Sequence, residues 1–269
     1  MTDHPPIRLI AIDLDGTLLN SQHQASPRNI AALKAAIEKG VQVVIATGKT
    51  HSSAREIIPL LGLSSPGVFV QGLVIHNPDG SVRSSIVLEP EIVQSIVDFA
   101  DQYDLVAVAY SNTRLLIRDD HPALHVLSGH GEPEAEIVGP LTEFDAPINK
   151  FILFGDNDHL LQARKALTMQ LNGRVTMVQA LAGMLEILPP GTSKGAGLQR
   201  VLDELGIPPE SVLAIGDGEN DAEMLRMAGI GVAMANAMPE AMAAADYVVS
   251  SNDEDGVAEA VERFVLNSK

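Results

Sequence analysis

Leu9-Ile10-Ala11-Ile12-Asp13-Leu14-Asp15-Gly16-Thr17 is the stretch on which the reading of this chain turns. Four apolar residues without alternation read as a strand buried on both faces, as in parallel sheets. The run stops abruptly at Asp13, and the carboxyl edge of such a sheet is where open α/β folds place their ligands. Two carboxylates there need a partner: at about 4 Å and an effective dielectric of about 20, like charges repel by roughly 4 kcal/mol. Such a pair binds a cation, shares a proton, or does both. The plain structural alternative is a turn built on Asp13 and Gly16.

Two more apolar runs end the same way, Val43 to Ala46 before Thr47 and Val212 to Ile215 before Gly216-Asp217. Between the first two lies a helix signal: Ser26 as N-cap, Pro27 at the first position, Ile30, Leu33 and Ile37 on one face, and Gly40 as the stop. A second helix, Gly195 to Leu205, carries Leu198, Val201, Leu202 and Leu205 as a stripe and ends at Gly206. Beyond Val212 to Ile215 the chain keeps alternating, with strands at Ile230 to Ala233 and Tyr247 to Val249 between helices. This predicts an α/β fold with a doubly wound, mostly parallel, Rossmann-like core sheet. The middle differs. A strand at Ser85 to Leu88, a helix at Glu91 to Gln102 and strands at Leu105 to Tyr110 and Leu115 to Arg118 form one βαββ unit. Lys150 to Phe154, Asn157 to Leu171, Arg174 to Gln179 and Met184 to Leu188 repeat it. An inserted α+β domain is expected over residues 84–188, with the core made of 1–83 and 189–269. Residues 119–148 carry no pattern that assigns them a fold.

Composition narrows the function. The 269 residues include no cysteine and no tryptophan, which excludes disulfides, thiol nucleophiles and cysteine zinc sites. A formal charge of -17 argues against nucleic acid as a partner, and any anionic substrate must meet a locally positive pocket. No apolar run is long enough to span a membrane, and MTDHPPIRLI lacks the pattern of a secretory leader, so a soluble, cytoplasmic protein is expected.

The chemistry gathers at the strand ends. Gly216-Asp217-Gly218-Glu219-Asn220-Asp221 adds carboxylates to the edge that carries Asp13 and Asp15, and clustered carboxylates suit a hard cation such as Mg²⁺. Thr47-Gly48 offers a hydroxyl and a backbone N–H to a phosphate oxygen. Lys194, just ahead of a helix, can reach an anion held there. Each of these also has an ordinary structural reading, as turn, helix cap or surface lysine. Their ordered combination carries the argument.

That combination resembles the haloacid dehalogenase superfamily, and within it the Cof-type phosphatases. DLDGT at Asp13 to Thr17, ATG at Ala46 to Gly48, Lys194, and GDGEND at Gly216 to Asp221 occur in the family's order, with the inserted domain where the family carries a C2B cap. The resemblance implies a phosphatase of small phosphomonoesters, with sugar phosphates leading and phosphorylated cofactors behind. It implies Asp13 as nucleophile, through an aspartyl phosphate, and Asp15 as general acid and then base. It implies Mg²⁺ held by the Asp13 side chain, the Asp15 carbonyl, Asp217 and Asp221, the last directly or through water. Thr47, Gly48, Lys194 and Asn220 would grip the phosphoryl oxygens, and cap closure would exclude water. Departures fall at Lys49, where many relatives have Arg, and at Gln71-Gly72, where many have Asn-Gly; both bear on substrate preference. The segment Gln71 to Gly80 is expected to form the family's flap, turning at Asp79-Gly80.

Other readings are a sugar phosphomutase of the same superfamily and a catalytically silent phosphate-binding module, against which the intact Asp13 and Asp15 speak. A Walker loop fails because the position five before Gly48 is Val43. His121, His125 and His130 are read as polar or substrate-facing residues of the irregular link rather than as a metal site, His51 as a surface residue, and Met224, Met227, Met234 and Met238 as core filling.

Overall fold

The computed structural model describes residues 5–129 and 131–267. His130 lies outside the described residues. The first elements are β1 (Leu9–Ile12), α1 (Pro27–Glu38), β2 (Gln42–Ile45), α2 (Ile57–Leu61), β3 (Gly67–Phe69), β4 (Val74–His76) and β5 (Val82–Ser85). Next come α3 (Pro90–Gln102), β6 (Val106–Ser111), β7 (Arg114–Ile117), α4 (Ala123–Gly129), β8 (Glu136–Ile137), β9 (Lys150–Phe154), α5 (Asn157–Leu171), β10 (Thr176–Leu181) and β11 (Met184–Leu188). The chain ends with α6 (Lys194–Leu205), β12 (Val212–Gly216), α7 (Ala222–Met227), β13 (Ile230–Met234), α8 (Pro239–Ala244), β14 (Tyr247–Val249) and α9 (Gly256–Val261). They form two compact units, one of Met1–Gly48, Ala54–Arg83 and Ser193–Lys269, the other of Lys49–Ser53 and Ser84–Thr192.

The first unit is built on a five-stranded sheet in the order β14-β13-β12-β1-β2, parallel throughout. Leu9 stands opposite both Val212 and Gln42, so β1 is central and buried along its whole length. In α6, Ser193 Oγ accepts the Ala196 N–H, Gly206 takes the left-handed exit, and Leu198, Val201 and Leu202 pack against Leu9, Val44 and Val212. In α1, Ser26 caps the Asn29 N–H as expected, but the buried face is Asn29, Ala32, Leu33 and Ala36. Ile30 and Ile37 are only half-buried. The rotation has a cause: α1 packs on α9, Asn29 Oδ1 accepts the Ala258 N–H at 2.9 Å, and alanines permit the close approach.

A three-stranded sheet, β3-β4-β5, completes this region. Here an expectation fails: Val82–Ser85 pairs with β4, whereas Ile86 to Glu89 form no strand. The turn Asn77–Gly80 is responsible, because Asn77 N–H bonds Ser81 O and Gly80 (φ 84°) returns the chain alongside β4. The expected turn at Asp79-Gly80 is therefore present.

The second unit is a six-stranded sheet in the order β10-β11-β9-β6-β7-β8, antiparallel except for β7 and β8. Helices α3 and α5 pack Ile96, Phe99, Leu160 and Leu167 against Ala109, Phe151 and Leu153 on one face. The unpatterned link supplies α4 and β8. His121 Nδ1 accepts the Ala123 N–H and caps α4, so His121 and His125 do not share a helical face. A buried polar chain also runs through this unit. Glu132 accepts from Thr50 N–H at 3.2 Å, Thr50 Oγ1 at 2.6 Å and Tyr110 Oη at 3.1 Å. The Lys150 ammonium lies 4.4 Å from the Tyr110 ring and bonds Glu186 at 2.7 Å.

Of the four methionines expected in the core, Met224 and Met234 are fully buried and Met227 packs against the cluster that contains Met224, but Met238 is 39% exposed just before α8. His51 is half-buried in a short 3₁₀ helix. Among the described residues no helix is long and apolar enough to cross a membrane.

Candidate active site

The site lies in the first unit, at the carboxyl ends of β1 and β12. Parallel pairing carries past the strands: Asp13 N–H bonds Ile215 O at 3.1 Å, which brings Asp13 beside the loop that follows β12. That loop folds on itself through Asp221, whose Oδ2 accepts the N–H groups of Asp217 (3.0 Å) and Gly218 (2.9 Å). Lys194, the first residue of α6, bonds Asp13 Oδ1 at 2.7 Å and Asp221 Oδ1 at 2.8 Å. All three are buried, with 2%, 5% and 0% of their surfaces exposed. Asp217 is held from the other side by the Thr17 hydroxyl at 2.5 Å. Gly16 passes so close that a Cβ there would lie 2.3 Å from Asp217 Oδ2, and its φ of 77° suits only glycine.

Asp13, Asp217 and Asp221 each offer a carboxylate oxygen within 4.8 Å of the others, the one group of potential metal ligands of this kind among the described residues. Three carboxylates face one ammonium, so negative charge is in excess. Burial pushes the Asp13 carboxyl well above the usual carboxylate range; Lys194 opposes this, and Asp221 and Asp217 add to it. Burial likewise raises Asp217 to about 6, against the pull of the Thr17 hydroxyl. Burial disfavours the Lys194 ammonium, but Asp13 and Asp221 outweigh it and hold its pKa above the ordinary lysine value. With Lys194 alone, burial still holds Asp13 and Asp217 toward the protonated form, so ionising both calls for more positive charge than Lys194 supplies. The donor set thus fits a hard divalent cation.

The other expected residues surround this cluster. The Asp15 side chain stays outside it, one-third exposed and 3.8 Å from His23 Nδ1. Thr47, at the end of β2, is buried, and its N–H bonds Val68 O. Gly48 lies against the Gln71 carboxamide, which also accepts a hydrogen bond from Asn220 at 3.0 Å. Thr17 was visible only as part of the motif, and its grip on Asp217 has no sequence signal. Gln71 showed itself only as a departure from the common Asn-Gly.

The sequence of the haloacid dehalogenase-like hydrolases matches residues 10–261 of this arrangement. The chain belongs to that family. Within it the chain is a Cof-type hydrolase, and its parallel core sheet with a separate, mainly antiparallel sheet matches haloacid dehalogenase-like structures with a C2B cap. It is 39% identical, over 97% of its length, to the chloroplastic endoribonuclease YBEY of Arabidopsis thaliana, and spans 47% of that protein. It is 32% identical to 5-amino-6-(5-phospho-D-ribitylamino)uracil phosphatase YcsE of Bacillus subtilis, covering 97% of this chain and 96% of that one. A haloacid dehalogenase-like hydrolase from Bacteroides thetaiotaomicron superposes with a TM-score of 0.87 at 31% identity, covering 96% and 99% of the two chains. Membership of this family, with a phosphatase aligned end to end, places the chain among the phosphoric monoester hydrolases.

Proposed function

We propose that the protein hydrolyses small phosphorylated metabolites through a phosphorylated Asp13. The observation that carries this reading is the Lys194 ammonium bridging Asp13 and Asp221 beside Asp217. A nucleophilic carboxylate has to be buried to exclude water and yet ionised to attack, and burial alone works against ionisation. Lys194 supplies part of the compensating charge. Asp13, Asp217, Asp221 and the Asp15 carbonyl would hold Mg²⁺, which would supply the remaining positive charge.

In the first step an Asp13 Oδ forms a bond to phosphorus while the ester oxygen leaves, taking a proton from Asp15. In the second, Asp15 takes a proton from water, which attacks the same phosphorus and frees phosphate and Asp13. The two carboxyls stand in different surroundings: Asp15 is one-third exposed, open to a leaving group and to water, whereas Asp13 is almost fully enclosed and depends on added positive charge to stay ionised. Thr47 Oγ1, the Gly48 N–H, Lys194 and Asn220 are assigned the phosphoryl oxygens, where donors act most strongly as charge develops. For the substrate class, the Bacillus relative's named substrate, a phosphorylated sugar-alcohol derivative, supports small phosphomonoesters. The test is phosphate release from a metabolite panel with and without Mg²⁺, for wild type and Asp13→Asn. Mg²⁺-dependent release that Asp13→Asn abolishes is expected; full turnover by Asp13→Asn overturns the assignment.

A further inference from the structure

The turn joining β3 to β4 is Val70-Gln71-Gly72, with φ angles of 53°, 58° and 87° in succession. Glycine visits this region freely, but a β-branched residue there is a true outlier. Such backbone persists only where the surroundings over-determine it, and it concentrates at functional sites. Here the surroundings are the site itself. The Gln71 N–H bonds Thr47 O at 3.2 Å. Gly72 is pressed so closely on the start of α6 that a Cβ would lie 2.0 Å from Ser193 O, and Arg200 of the same helix donates to Gly72 O. The turn thereby joins the end of β2 to the helix that carries Lys194.

The Gln71 side chain, 4% exposed, completes the connection. Its Oε1 accepts from Asn220 Nδ2 at 3.0 Å, and its Nε2 lies 2.6 Å from where a Cβ on Gly48 would stand. A carboxamide presents either a donor or an acceptor to a given neighbour, and only the donor suits a phosphoryl oxygen. In this arrangement Gln71 Oε1 faces the Asn220 nitrogen, so the Asn220 carboxamide presents its donor end toward Gln71. The Asn220 oxygen lies on the Gly218 side, 2.4 Å from where a Cβ on Gly218 would stand. The Asn220 amide carries two hydrogens; one goes to Gln71 and the second is left for substrate.

We propose that Gln71 is a positioning residue for phosphoryl transfer, acting through the Asn220 carboxamide. The inference rests on the phosphatase reading above. It accounts for the strained turn, because the left-handed backbone at 70–71 is what brings Gln71 between Gly48 and Asn220.

The test is a double-mutant cycle on Mg²⁺-dependent hydrolysis of an aryl phosphate. Gln71→Met removes the amide at similar volume. Gln71→Gly removes it while relieving the backbone, so it folds even if Gln71→Met does not. Each single variant is expected to lower kcat/KM by about 10- to 100-fold, the effect of one buried hydrogen-bond partner lost. In an Asn220→Ala background the same substitutions should cost less than about threefold, because the group they position is gone. Losses that multiply in full with that of Asn220→Ala, or the absence of a loss in the folded single variants, overturn the inference and leave the phosphatase reading intact. A wild-type protein without turnover overturns both.

Discussion

Replacing Lys194 by Met removes one charge from the centre of the site and keeps most of the volume. The ammonium now lies 2.7 Å from Asp13 and 2.8 Å from Asp221, and all three groups are buried. Taking one partner from a buried ion pair costs about 3–5 kcal/mol. Asp221 keeps its two backbone N–H donors, and Asp13 can accept a proton, so the loss should stay within that range rather than double it. The pH dependence has a definite sign. The folded Lys194 pKa lies above the lysine value of 10.5, so its stabilisation is complete at neutral pH and is lost only as pH rises through the folded value. In the variant, Asp13 without its ammonium binds a proton more readily folded than unfolded. The deficit should therefore shrink as pH falls from about 7.5 toward about 5. Millimolar Mg²⁺ should also shrink it by replacing the missing charge. The chain has no tryptophan, so urea unfolding followed by far-ultraviolet circular dichroism, in chelator and in Mg²⁺, is the assay. A variant within about 1 kcal/mol of wild type near pH 7.5 in chelator, or a deficit independent of pH, would refute the electrostatic reasoning.

Asp15→Asn should lose far more rate on alkyl phosphates than on activated aryl phosphates, whose leaving groups need no proton; equal losses would remove Asp15 from the acid role. Gly16→Ala forces a φ of 77° on a residue with a Cβ and drives that Cβ into Asp217; a stability loss of at least about 1–3 kcal/mol is expected in urea, and a neutral result would contradict the packing described. Burial raises the Glu132 pKa above 4.5, with the Thr50 bonds opposing. Its contribution to stability is therefore greatest below about pH 4.5 and falls as pH rises through the folded value, so Glu132→Gln should flatten that part of the stability profile. An unchanged slope would refute it.

The elements with strong local signals were legible. Ser26, Pro27 and Gly40 bracket α1 and Gly206 stops α6, because caps and stops are local chemistry. Lys150–Phe154 and Asn157–Leu171 fall where their patterns put them. What escaped was decided by distant partners. The face that α1 buries is set by α9, and the strand at Val82–Ser85 by its pairing with β4. Residues 119–148 draw their short helix and strand from packing rather than from periodicity. At the site, motif order singled out Asp13, Lys194, Asp217 and Asp221, which the fold brings together. The bonds Thr17–Asp217 and Asn220–Gln71 join residues 200 and 149 positions apart, and one sequence holds no signal for them.

Whether phosphate passes through the carboxylate that follows β1 can be measured directly. Turnover of a labelled phosphomonoester is quenched in acid, the protein digested, and the labelled peptide sequenced by mass spectrometry. Phosphate recovered on Asp13, and absent from Asp13→Asn, is the predicted result. Active enzyme with no phosphorylated peptide at any quench time, or with phosphate on a different residue, would contradict the account.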